Sequence, residues 1–393
     1  MVVVDIPDFG DVLRALRDLA PAAVIELMVG LAEGTGATDV VVYLVDFGQI
    51  VLSPLPAGGA HVRLPEVEAI PGSVAGRAFT ERRLQTEALS EGTRVWVPVV
   101  EGSECTGVLA FTVSGPLDDR ARARCLELGL MVGCAVAVAA RHTDLFNLVR
   151  RRRPMSLPAS MQWDLLPPLH LQSPEVVSAA VLEPAYDVGG DSFDHAINGG
   201  NLDLVIVDAM GHGLAASMTS ALAMGSYRHD RREGQPLATM HRRLDEVIGR
   251  ELGSETFATG LVARLVLATG HLTWINAGHP QPLLVRAGRV QRALACRPSL
   301  PWGLGSRIEE EADVVLEAGD SVLFYTDGVV EGRAPGGEPF GVGRLIELIQ
   351  TAAAAPQPSS VLLRQLIHQV LIYQDQRLRD DATLVWLTWN GPR

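Results

Sequence analysis

Pro154, Pro158, Pro167 and Pro168 fall close together in the chain, and no helix or interior strand runs unbroken through such a cluster. A length of 393 residues exceeds one ordinary core and suits two domains. The prolines mark the join, because the pattern changes across them. Before them, apolar residues at helical spacing (Val12, Leu16, Leu19, Val24, Leu27, Met28, Leu31) predict a helix over Asp11 to Leu31, broken or kinked at Pro21. Runs rich in β-branched residues predict strands at Val40 to Val45, Arg94 to Val100 and Gly107 to Val113. Asp118 is a suitable N-cap for a helix continuing to about Arg152.

Beyond the prolines, strands are expected at Val176 to Leu182, Leu202 to Val207, Phe257 to Leu267, Leu272 to Ile275, Pro282 to Val285, Ser321 to Tyr325 and Ala382 to Trp389. Helices are expected at Leu214 to Arg228, Pro236 to Glu251, Val342 to Gln350 and Ser359 to Gln374. Strands without regular helix alternation indicate an α+β domain with mostly antiparallel sheet. The expected organisation is a module over 1–145, a helical, proline-containing linker over 146–168 and a second domain over 169–390.

Composition narrows the function. A formal charge of −13 argues against a nucleic-acid partner. Arg150 to Arg153 reads as a solvated helix end rather than a polyanion site. Cys105, Cys125, Cys134 and Cys296 show no metal or redox spacing and read as reduced, small core residues. The most apolar stretch, Leu126 to Ala140, is interrupted by Gly and polar residues, so no membrane span and a cytoplasmic location are expected.

The chemistry gathers where Asp ends or flanks a buried strand. Val188-Gly189-Gly190-Asp191 suggests a tight, positive-φ turn ahead of a carboxylate. The apolar run Leu202 to Val207 ends on Asp208, followed by Ala209-Met210-Gly211-His212-Gly213 and a helix opened by small residues. Val322-Leu323-Phe324-Tyr325-Thr326 leads into Asp327-Gly328, and Asp380-Asp381-Ala382-Thr383 precedes the final strand. One such Asp is ordinarily a cap. Four in one domain imply cations, because clustered carboxylates repel and burial penalises their charge. Oxygen-only donors suit Mg²⁺ or Mn²⁺, and a pair of such ions can activate water against a phosphoryl group.

With Asn276-Ala277-Gly278-His279-Pro280 and Glu331, these phrases stand in an order that resembles the SpoIIE/RsbU branch of the PPM metal-dependent protein phosphatases, over about Leu165 to Trp389. The resemblance implies a β-sandwich flanked by helices and two ions, Mn²⁺ or Mg²⁺. It implies that Asp208 bridges the ions, that Asp327 and Asp380 bind the first, that the Ala209 carbonyl contacts the second, and that Asp191 binds or orients water there. Asp381 ranks behind Asp380 for the same duty. His212 either donates a proton to the leaving oxygen or, as expected here, shapes the turn between Gly211 and Gly213, and His279 is expected to stabilise the sheet beside the site. The implied reaction is hydrolysis of phosphoserine or phosphothreonine on a STAS-type anti-anti-sigma protein. The alternative is a catalytically weak pseudophosphatase that serves as a binding scaffold.

The order of elements in the first module and the phrase Gly76-Arg77-Ala78-Phe79 resemble GAF sensor domains, implying regulation by an unknown small-molecule or protein signal. A PAS-like module or a scaffold without ligand fits the same order. The helix from Asp118 is expected to couple this module to the site. Leu126, Leu130, Cys134 and Ala137 on it could pair with a second copy as a homodimer or pack on their own sheet.

Overall fold

The computed structural model describes every residue except 1–9, 11–13, 15–18, 57–64, 188, 254, 377, 379 and 393. The expected positions Val12 and Leu16, and Val188, lie outside the described residues. The chain forms two compact units, Met1–Pro154 and Met155–Arg393. The stretch expected as a linker is shared between them, since each unit holds one of its two helices.

In the first unit a short 3₁₀ turn, Pro21–Ala23, leads into α1 (Val24–Glu33). There follow β1 (Thr38–Val45), β2 (Val51–Pro54), β3 (Glu68–Ala69), α2 (Val74–Glu81), β4 (Gln85–Leu89), β5 (Gly92–Glu101), β6 (Glu104–Val113), α3 (Asp119–Ala140) and α4 (Leu145–Arg150). The strands form one antiparallel sheet in the order β3-β2-β1-β6-β5-β4. Alternation divides its side chains. Val42 and Leu44 join the core under α1 and α3, whereas Tyr43 and Val45 join the smaller core under α2.

The single helix expected from Asp118 to Arg152 is two helices. Asp118 caps the first by accepting from Ala121 N at 2.7 Å. The break at 141–144 contains Thr143 and Asp144, whose side chains compete for backbone groups; Thr143 Oγ1 accepts from Leu145 N at 3.3 Å. Arg150 is tied inward, donating to the Val45 carbonyl at 3.0 Å and lying over the Phe47 ring. Cys134 departs from the expected core set. Cys105, Cys125 and Cys296 are buried, but Cys134 is exposed on α3, in line with Leu126, Leu130 and Val138, which are 40%, 51% and 55% exposed. This line does not pack on its own sheet; Cys125, Leu128, Val132 and Val136 do. No helix among the described residues is long and apolar enough to cross a membrane.

The second unit opens with α5 (Leu157–Leu165), then β7 (His170–Gln172), β8 (Val176–Glu183), β9 (Asp191–Asn198), β10 (Asn201–Ala209), α6 (Leu214–Arg232) and α7 (Leu237–Leu252). It continues with β11 (Ala258–Val266), β12 (His271–Ala277), β13 (Leu283–Arg286), β14 (Arg289–Ala293), β15 (Ala312–Val315), β16 (Ser321–Tyr325), α8 (Asp327–Val330), α9 (Gly341–Ala352), α10 (Ser359–Tyr373) and β17 (Ala382–Trp389). Two antiparallel sheets result, ordered β15-β12-β11-β10-β9 and β14-β13-β16-β17-β8-β7. Their facing sides share a core that includes Leu204, Ile206, Leu261, Phe324 and Val385. The outer side of the first sheet is covered by α6 and α7, and that of the second by α9 and α10. Layers of helix, sheet, sheet and helix bury apolar residues on every strand face.

Candidate active site

Strand periodicity builds the site. In β10, Leu202, Leu204 and Ile206 face the inter-sheet core, and Asp208 is the next residue of that series. In β9, Asp191 shares the parity of Phe193 and pairs directly across from Asp208. In the opposite sheet, Val322 and Phe324 face inward and Thr326 continues them, while Thr383 precedes inward Val385 and Leu387 in β17. At one end of the sandwich the apolar filling therefore gives way to Asp191, Asp208, Thr326 and Thr383. Both threonine hydroxyls donate to Asp191 Oδ2, at 2.7 Å from Thr326 and 2.6 Å from Thr383. Thr326 Oγ1 in turn accepts from Thr383 N at 3.0 Å.

The remaining acids stand just past the strand ends. Asp327 begins α8, and Asp380 and Asp381 precede β17. Asp381 Oδ2 accepts from Gly190 N at 2.7 Å and Asp191 N at 3.1 Å, so the last strand holds the backbone that presents Asp191. Its other oxygen is buried without a hydrogen-bond partner. Asp380 is exposed at the rim, with His212 as a charged neighbour.

Electrostatics shows the strain of this gathering. Burial, then the charges of Asp208 and Asp381, raise the Asp191 pKa well above the carboxylate range, against the pull of the two threonines. Burial and the charges of Asp327, Asp380 and Asp381 push Asp208 up to about 8. The side chains of Asp208 and Asp327 act on each other, raising the first and lowering the second. Burial and then Asp380 and Glu331 raise Asp327, and burial raises Asp380. Asp381 is pushed to about 6, chiefly by burial.

Among the described residues, no three acidic, His or Cys side chains already converge as a closed metal cage. The donor chemistry nevertheless fits a hard divalent cation. The donors are all oxygen, they repel one another, and one buried carboxylate oxygen lacks any partner.

Several supporting residues are not evident from sequence patterning. The paired glycines before Asp191 are not at positive φ, contrary to the turn expected there. They are small because the chain is crowded: a Cβ on Gly189 would lie 2.1 Å from Ser217 Oγ, and one on Gly190 would lie 3.2 Å from the Ala209 carbonyl. Ser217 donates to the Gly189 carbonyl at 2.6 Å, Ser220 donates to that of Gly190, and Ala209 N donates to the same Gly190 oxygen at 3.2 Å. Buried Gln162 of α5 donates to the Asp191 carbonyl. Only the threonines carry a sequence signal, since Thr326 adjoins Asp327 and Thr383 lies two residues past Asp381, both at inward parity.

The two motif histidines differ. His212 is exposed in the turn before α6. His279 is buried, its Nδ1 lies 3.0 Å from Thr259 Oγ1, and Thr259 pairs across from Asp208. Burial pushes its pKa down to about 3, leaving a neutral ring that braces the strand behind Asp208. Asn276 closes that turn by accepting from His279 N at 2.7 Å.

Residues 198–390 match the family described as Stage II sporulation protein E (SpoIIE). The chain is 27% identical to Protein IcfG of Synechocystis sp. over 263 residues, 59% of this chain but 39% of IcfG, so it spans about two fifths of that relative. It is 23% identical to the phosphoserine phosphatase RsbU of Bacillus subtilis over 267 residues, covering 66% of this chain and 76% of RsbU. Among solved structures, the RsbU and RsbW domains of a Mycobacterium tuberculosis protein share 27% identity, cover 56% of this chain and 63% of that one, and give a TM-score of 0.48. The family match spans β10, Asp208, Asp327, Asp380 and Asp381. Over residues 198–390 the carboxy-terminal unit is thus similar to the SpoIIE family and to RsbU-like phosphoserine phosphatases.

Proposed function

We propose that the carboxy-terminal unit hydrolyses phosphoserine or phosphothreonine on a regulatory protein, a STAS-type anti-anti-sigma phosphoprotein being the substrate expected for this branch. The observation that carries the reading is the assembly of Asp191, Asp208, Asp327, Asp380 and Asp381, drawn from separate stretches of chain, with acidic neighbours raising the pKa of most of them. Asp208, Asp327 and Asp380 would hold one Mn²⁺ or Mg²⁺ ion, and Asp208, the Ala209 carbonyl and Asp191 would serve a second. Bound ions supply an acidified water and positive charge for the phosphoryl oxygens.

The chain's own part is positioning. Thr326 and Thr383 fix the Asp191 carboxylate, Asp381 and Gln162 hold the backbone at 190–191, and the His279–Thr259 pair backs Asp208. In this reading the first unit is a GAF-like sensor that regulates turnover. Domain limits of 1–145, 146–168 and 169–390 go with it.

The test is phosphate release from a phosphoserine peptide with and without Mn²⁺. Asp208→Asn and Asp327→Asn should each lower Mn²⁺-dependent turnover by about 100-fold or more, roughly 3 kcal/mol of lost transition-state stabilisation. Wild-type protein that binds the peptide without releasing phosphate would favour the pseudophosphatase instead.

A further inference from the structure

Helix α6 starts directly after the turn that follows Asp208, and its outer face breaks the usual rule for surface helices. An exposed helix face ordinarily carries charge. Here no charged side chain occurs from Leu214 to Tyr227, and the first is Arg228. The inner side of the helix is accounted for, since Ala216, Ala223, Met224 and Tyr227 fill the core against the sheet. The outer side is apolar and open: Leu214 is 45% and Met218 50% exposed, Leu222 one turn further is partly exposed, and Met210 in the preceding turn is 46% exposed. Leu214, Met218 and Leu222 stand four residues apart and so form one stripe. The stripe runs to the turn that carries the site.

We propose that this stripe is the docking surface for the substrate and selects phosphoproteins with apolar side chains beside the phosphorylated residue. The inference rests on the phosphatase reading and names how that site recognises its partner. Two observations choose this occupant. First, the stripe adjoins the carboxylates along the chain: Met210 lies two residues past Asp208, and Leu214 opens the helix that follows the same turn. Second, charge offers little hold there. Among the described residues, the charges that most perturb the five carboxylates are those of one another and Glu331, with His212 acting on Asp380. Beyond the attraction of bound cations for the phosphoryl group itself, an acidic phosphoprotein gains little from such a rim, so apolar contact supplies the remaining recognition. Methionine suits this task because its unbranched side chain adapts to varied partners.

The experiment uses the full chain with Mn²⁺ and three probes. Two are phosphoserine peptides identical except that the flanking residues are Leu and Ile in one and Ser and Gln in the other. The third is para-nitrophenyl phosphate, too small to reach the stripe. The wild type should prefer the apolar peptide by about tenfold in kcat/KM, the gain expected from burying roughly one large side chain. Met218→Glu should abolish that preference through KM and leave para-nitrophenyl phosphate turnover within about twofold. Met218→Leu should restore it. Equal use of the two peptides by the wild type overturns the docking role alone, as does equal loss on peptide and para-nitrophenyl phosphate in Met218→Glu. No Mn²⁺-dependent turnover of any probe overturns the hydrolase reading and this inference with it.

Discussion

Removing one negative charge from the acidic cluster should stabilise the metal-free protein, and Asp381→Asn is the substitution that isolates this effect. Asp381 is 2% exposed, and its pKa is displaced from 3.8 to about 6, chiefly by burial. At pH 7.5 the folded state therefore bears ~3 kcal/mol of ionisation cost that the unfolded chain does not. Asparagine keeps an oxygen to accept from Gly190 N and Asp191 N, although exchanging charge-assisted for neutral hydrogen bonds returns ~1 kcal/mol. The net gain of ~2 kcal/mol corresponds to a rise in Tm of about 4–8 °C for a unit of this size.

The sign follows from linkage. A carboxyl whose folded pKa is raised binds more protons folded than unfolded between pH 3.8 and about 6, so its penalty is complete above that window and disappears as pH falls through it. The advantage of Asp381→Asn should be largest at pH 7.5 and fall to about a third at pH 5. Divalent ions should act in the opposite sense, with Mn²⁺ raising the wild-type Tm more than the variant's. Thermal unfolding in EDTA and in Mn²⁺ at both pH values measures all of this. A variant less stable than wild type in EDTA at pH 7.5 would refute the idea that the buried Asp381 charge burdens the fold.

Three other outcomes are expected. Trp302 Nε1 donates to His241 Nδ1 at 3.0 Å, and the ring's Nε2 meets Ser306 Oγ at 3.1 Å, all of it buried. Trp302→Phe should cost about 1–3 kcal/mol in urea unfolding by orphaning the imidazole. A Cβ on Gly328 would lie 2.0 Å from the Asp381 carbonyl, whereas one on Gly336 meets nothing within 4 Å. Gly328→Ala should therefore cost roughly 1–3 kcal/mol and much of the Mn²⁺-dependent turnover, with Gly336→Ala near neutral. On α3, Leu130→Glu should shift stability by no more than about 0.5 kcal/mol. If that face pairs with a second copy, light scattering should find a dimer for the wild type and a monomer for the variant.

What the sequence discloses follows from how each strand is buried. Leu202 to Val207, Ser321 to Tyr325 and Ala382 to Trp389 have both faces covered and read as continuous apolar runs. The acids that end them are legible for the same reason, because a charge at the close of such a run demands an explanation. Strand β9 is obscure since its buried positions are polar. Asp194 sits between Arg228 and Arg231, and His195 bridges Ser178 Oγ at 2.8 Å and the Pro168 carbonyl at 2.9 Å. Its satisfaction comes from distant residues, so no local pattern reveals it. Gln162 is hidden in the same way, a single amide on a short helix whose importance lies in a bond to a carbonyl 29 positions away. The part played by Asp381 is likewise visible only through tertiary contact, which makes it a clamp on the backbone of Gly190 and Asp191.

Strand β17 has a consequence for how the protein is made. It lies between β16 and β8 in the sheet, yet it follows every other described strand in the chain. On the ribosome, therefore, β8 and β16 must wait with unpaired inner edges until residues 382–389 emerge. The Asp381 clamp and the Thr383 hydroxyl arrive with that same segment. A nascent chain lacking residues 381–389 thus has no assembled reaction centre, and the interval before that segment emerges is the time at which those sticky edges most need a chaperone.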